Sequence, residues 1–77
     1  MLRARVDYNE RELLREGIET IVVFPEDAVP VADRDKLTVG LRIVLTDGIT
    51  ECEAVLRHGE DYEWVADIIE GTTRDIA

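Results

Sequence analysis

The chain has 77 residues, eighteen acids against nine bases and a formal charge of −9, and its pI near 4.4 speaks against a phosphate-binding surface, because nucleic-acid affinity rests on clustered Lys and Arg. A chain this short builds one domain around one small core, at a size where burial is marginal. It holds no run of eighteen apolar residues and MLRARVDYNERE lacks the long apolar segment of a signal peptide, so no membrane partner is expected and the protein is placed in the cytoplasm.

LRARVDY at the start alternates Leu2, Ala4, Val6 and Tyr8 against Arg3, Arg5 and Asp7, the pattern of a half-buried strand with a basic outer side. Asn9 followed three residues later by Glu12 reads as a capping box. Tyr8 and Leu13 stand at the staple positions, and Gly17 is placed for a left-handed C′ residue. Together they predict a short helix over residues 10–16, which must pack on the sheet because two turns are unstable alone. IETIVVF, residues 18–24, is a β-branched run without clean alternation, expected as a strand covered on both faces. PEDAVPVADRDK, residues 25–36, carries both prolines and a run of acids and is expected as a long loop, extended at most over 29–32; a loop of that length in a small domain is functional or mobile.

Residues 37–71 organise the chain as a three-stranded meander, with 72–77 as a tail. Asp47-Gly48 suits a two-residue type I′ hairpin turn. Its register pairs Leu45 with Thr50, Ile43 with Cys52 and Leu41 with Ala54 on one face. The other face receives Arg42 beside Glu53 and Val44 beside Glu51, an arrangement worth about 0.2 to 1 kcal/mol per opposite-charge pair. Around residues 57–62, a shared apolar face for Leu56, Trp64, Ala66 and Ile68 requires paired residue numbers with an even sum, as in Leu56 with Trp64 or Tyr62, hence an odd loop or a bulge. Trp64 is thereby expected in the core with Ile43, Leu45, Leu56, Ala66 and Ile68, and lone Cys52 beside them as a small core residue.

On the second face of the meander fall Val44, Ile49, Val55, Val65 and Ile69, more apolar than a wetted sheet face usually is. A helix or loop covers them, or they are an interface for a protein partner or a second copy. Their rim of Glu51, Glu53, Arg42 and Arg57 has the form of a modest docking patch.

DKLTVGLRIVL followed by YEWVADIIEGTTRDI resembles the closing half of SH3-like small barrels, in which a Leu-x-x-Gly turn leads into a strand, a Trp-bearing strand follows a hairpin and a short helical turn comes near the end. The resemblance covers about half the chain. It implies a mainly β fold: a small five-stranded antiparallel barrel or half-barrel with one short helix near the N-terminus, the alternative being an α+β domain with that helix packed on an antiparallel sheet. The chain lacks the tyrosine-rich first segment, the paired tryptophans and the late proline of peptide-binding SH3 domains, so no polyproline groove is implied.

No motif carries a reaction. Serine is absent, and the five glycines fit turns and caps instead of a phosphate loop. His58 with Glu60 and Asp61 has donors for a divalent ion but sits where a turn already demands polar residues. Asp33 and Asp35 lack the spacing of a calcium loop, and Glu51, Glu53 and Asp67 lie among arginines as a surface network would. No cofactor, metal or catalytic residue is therefore assigned. The leading expectation is a non-enzymatic acidic protein-interaction module. An acidic mimic of nucleic acid comes next, requiring carboxylates spaced along one face like phosphates. A salt-adapted nucleic-acid-binding barrel is third: arginine in place of lysine, with Lys36 the only lysine, resembles the composition of salt-adapted archaeal cytoplasmic proteins. That reading needs Arg3, Arg5, Arg42, Arg57 and Arg74 on one surface.

Overall fold

A computed structural model describes residues 1–8, the backbone of 11–15, and residues 18–76. It is mainly β, with strands β1 (Arg3–Arg5), β2 (Arg11–Arg15), β3 (Ile18–Val22), β4 (Arg42–Thr46), β5 (Thr50–Arg57), β6 (Val65–Ile68) and β7 (Arg74–Asp75). Six of them lie in the order β1-β4-β5-β6-β3-β2, and the two-residue β7 pairs with the start of β5. The sheet differs from the expected five-stranded antiparallel barrel in three respects, the first being its path of six strands. It is mixed, because β1 runs parallel to β4, and it is not closed, because β1 and β2 remain its edges.

The helix expected over 10–16 is replaced by β2; its cap Asn9 and its Gly17 lie outside the described residues. β2 pairs antiparallel with β3, Arg11 opposite Ile21 and Arg15 opposite Ile18, with an irregularity between Glu12 and Arg15. The physical reason is tertiary: a two-turn helix gains little by itself, whereas β3, already held by β6, offers a full ladder edge. Helical turns occur instead in the segment expected as a loop. Pro25 opens a one-turn helix α1 (Pro25–Ala28), where its missing N–H costs nothing, and a 3-10 turn spans Val31–Lys36. Arg34 ties both together, its Nε donating to the carbonyls of Pro25 at 3.1 Å and Val29 at 3.0 Å and its Nη2 to that of Glu26 at 2.8 Å.

In the first hairpin the register is two residues away from the expected one: Leu45 pairs with Cys52, Ile43 with Ala54 and Arg42 with Val55. The two-residue type I′ turn fails because Asp47 does not take positive φ; among the described residues only glycines do, Gly48 at 93°. The Asp47 carboxylate instead accepts the N–H groups of Ile49 (2.9 Å) and Thr50 (2.7 Å), and these bonds hold its pKa below the usual carboxylate range. A slip of two leaves every side chain on its expected face. In the second hairpin Leu56 pairs with Ala66 and Ala54 with Ile68, so the even sum holds with a longer loop than expected. After β6 the chain bulges: Thr72 Oγ1 accepts the Glu53 N–H at 3.0 Å, filling a rung of the ladder before β7 resumes pairing with β5.

One core lies on the inner face. Ala4, Ile21, Val23, Ile43, Leu45, Cys52, Ala54, Leu56, Trp64 and Ala66 are buried there with Ala28 and Val29 of the α1 segment, and Leu2, Val6, Tyr8 and Ile68 pack against them. Tyr8 keeps its hydroxyl satisfied by donating to the Leu45 carbonyl at 3.0 Å. Among the described residues no helix is long and apolar enough to cross a membrane.

Candidate interaction surfaces

The register that buries the core sets an ion-pair network on the outer face. Among the described residues, Arg3, Arg5, Arg42, Arg57 and Arg74 share that face with three carboxylates, Glu51, Glu53 and Asp67. Glu51 accepts from Arg3 of β1 and from Arg74 of β7, the latter at 2.7 Å. Arg42 donates to Glu53 at 2.9 Å, and Asp67 takes Arg57 at 2.7 Å together with the Thr20 hydroxyl at 2.7 Å. The arginines are thus brought to one surface as the nucleic-acid reading needs, but Arg3, Arg42, Arg57 and Arg74 already hold carboxylate partners there.

Glu51 joins the two ends of the described chain. Its burial raises the carboxyl pKa, but hydrogen bonds and charge from Arg74 and Arg3 outweigh burial and leave it below its ordinary value. A depressed native pKa stabilises the fold above the unfolded carboxylate value, about 4.3, and that contribution disappears as pH falls through the native value. Melting temperature should therefore drop on acidification below about pH 4 to 5. Glu51→Gln should melt lower at neutral pH and show a shallower acid limb in a pH series followed by circular dichroism.

The five apolar residues expected as an interface are placed unevenly. Val44 and Val65 are buried at 5% and 0% exposure, Val55 and Ile69 are half-buried, and Ile49 is 62% exposed in the first turn. Val44 stands between Arg3 and Glu53 on its neighbouring strands. Over Val65 lies the loop after β5: a Cβ added to Gly59 would stand 2.8 Å from Val65 Cγ1 and 2.9 Å from the Tyr62 carbonyl oxygen. This face accordingly does not present a continuous apolar stripe.

A different exposed patch lies where α1 begins and the 58–63 loop turns. Phe24 and Tyr62, 39% and 41% exposed, meet edge to face with ring centroids 5.9 Å apart. Around them in sequence stand the exposed acids Glu26, Asp27, Glu60, Asp61 and Glu63, and none of these makes a salt bridge among the described residues. Sequence reasoning missed this patch because Phe24 and Tyr62 are far apart in the chain and neither belongs to a periodic run. The one available signal was an aromatic residue embedded in acids in each of two turn segments. His58 is occupied otherwise: its Nδ1 lies 2.8 Å from the Glu63 carbonyl oxygen and its ring lies against Trp64, tilted by 37° with centroids 4.5 Å apart. Among the described residues no three His, Cys, Asp or Glu side chains stand together as a metal site.

Comparison with protein-family models, with curated proteins and with solved structures finds no match, so any functional reading rests on the residues themselves.

Proposed function

We propose that the chain is a non-enzymatic protein-interaction module of half-barrel shape, distantly SH3-like in pattern, that docks a basic surface of a partner protein on its Phe24–Tyr62 end. The observation carrying this reading is the exposed aromatic pair set among carboxylates that make no salt bridge among the described residues. Aromatic faces attract Lys and Arg at about 0.5 to 1 kcal/mol when exposed and more when desolvated, and unpaired acids add attraction that steers a basic partner. The acidic-mimic reading is less well supported, because the strand-face carboxylates Glu51, Glu53 and Asp67 are spent on arginines.

The salt-adapted nucleic-acid reading keeps one observation in its favour, the five arginines on the outer face. A single titration separates the two. An arginine-rich peptide and a short single-stranded oligonucleotide are added in turn to isotope-labelled protein, and amide shifts are followed. The interaction reading expects the peptide to move residues 24–27 and 60–63, the effect weakening with salt and falling several-fold in Phe24→Ser, Tyr62→Ser. Shifts confined to the arginine face with the oligonucleotide, and none with the peptide, would reverse the order.

A further inference from the structure

Among the described residues β1 is an edge strand with no strand on its outward side. The Leu2 carbonyl accepts from Val44 N–H and Val6 N–H donates to the Thr46 carbonyl, both at 2.9 Å. In a parallel ladder alternate residues face the neighbour, so the N–H and C=O groups of Arg3 and Arg5 point away from β4. Among the described residues no other strand pairs with β1. Such a row is a template for strand addition.

We propose that this edge takes up an extended segment of a partner protein, added as a further strand and reading acidic–apolar–acidic. The alternation follows from the pleat. Residues opposite Arg3 and Arg5 present their side chains on the outer face beside two exposed guanidinium groups; the Arg3 side chain stays 55% exposed while it bridges Glu51, and the Arg5 guanidinium reaches only the Asp47 carbonyl, at 3.5 Å. The residue between them points inward, towards a groove of about 150 Å³ whose apolar lining is Val6, Val22, Phe24 and Ala28 and whose charged lining is Arg5, Asp7 and Asp27, room for one aliphatic side chain. A second copy is disfavoured as occupant, because two β1 edges would set arginines against arginines. The net charge of −9 does not oppose the contact decisively at physiological ionic strength, where charges beyond roughly 8 Å are screened and the local arginines dominate. This surface shares Phe24 and Asp27 with the aromatic end, so the two proposals are told apart by their probes, a basic peptide for the aromatic end and an acidic one read at Arg3 and Arg5 for the edge.

The test uses the whole chain and the peptide acetyl-Glu-Val-Glu-Val-Glu-amide, with a Lys-for-Glu version and a version N-methylated at alternate amides as controls. Amide exchange of Arg3 and Arg5 is read by NMR. The acidic peptide is expected to slow their exchange at least tenfold while the controls do not, and Arg5→Glu should weaken its binding at least tenfold and favour the Lys peptide. Unchanged exchange at saturating peptide, or equal binding of the N-methylated peptide, overturns strand addition. Protection in the free protein that grows with protein concentration would assign the edge to a second copy and overturn the acidic occupant. The exchange reading needs no variant, so a misfolded Arg5→Glu leaves the proposal exposed to refutation.

Discussion

Trp64→Ala is expected to unfold the domain or bring it to the verge of unfolding at room temperature. Trp64 is 8% exposed in the inner core, its carbonyl accepts the Val23 N–H at 3.0 Å and its ring lies under His58, so it joins β6, the end of β3 and the loop after β5. Removing a buried tryptophan costs about 3 to 5 kcal/mol in lost transfer energy and cavity. Small domains sit towards the lower end of the usual ~5 to 15 kcal/mol of stability, so the loss is a large share of the whole. Thermal and urea melts of the variant measure it. An unchanged melting temperature would place the indole outside the core and remove the even-sum pairing argument that put it there.

Val65→Glu is expected to be nearly as damaging, and Val55→Glu mild, although both side chains belong to the outer face. Val65 is fully buried beneath the Gly59 backbone, and a carboxylate forced there would have to compete with Asp67, two residues along its own strand, for the facing Arg57, which Asp67 already holds at 2.7 Å. An uncompensated buried charge costs on the order of 3 to 5 kcal/mol. Val55 is half-buried with Arg42 opposite, so a glutamate there can reach water and a guanidinium. Circular dichroism with sedimentation decides the matter: an unfolded Val65→Glu monomer beside a folded Val55→Glu confirms that Val65 is internal. Folded Val65→Glu that dissociates from a dimer would restore the valine stripe as an interface.

Much of this molecule was written locally. The alternation in Thr50–Arg57 and the apolar parity of Leu56, Ala66 and Ile68 set which side chains face inward, because a two-residue period survives any even slip in register. Trp64, Cys52, Ile43 and Leu45 therefore went to the core as read, and Arg42 found Glu53 even though it came to stand opposite Val55. The acid excess was equally plain in the chain itself.

What the sequence could not decide were choices between partners distant along the chain. RELLR with a capping box is a sound helix signal, yet the open edge of β3 outweighed two turns of weak helix and made it strand β2. Nothing in Arg3–Arg5 encodes that β1 lies parallel to β4, about forty residues away, since a three-residue strand looks the same beside any neighbour. The meeting of Phe24 with Tyr62, the joining of Arg3 and Arg74 through Glu51, and the free edge of β1 arise only when the whole sheet is assembled. Periodicity and turn chemistry act over a few residues and determine faces; the pairing of edges depends on the summed burial of the finished core, and that belongs to the tertiary structure alone.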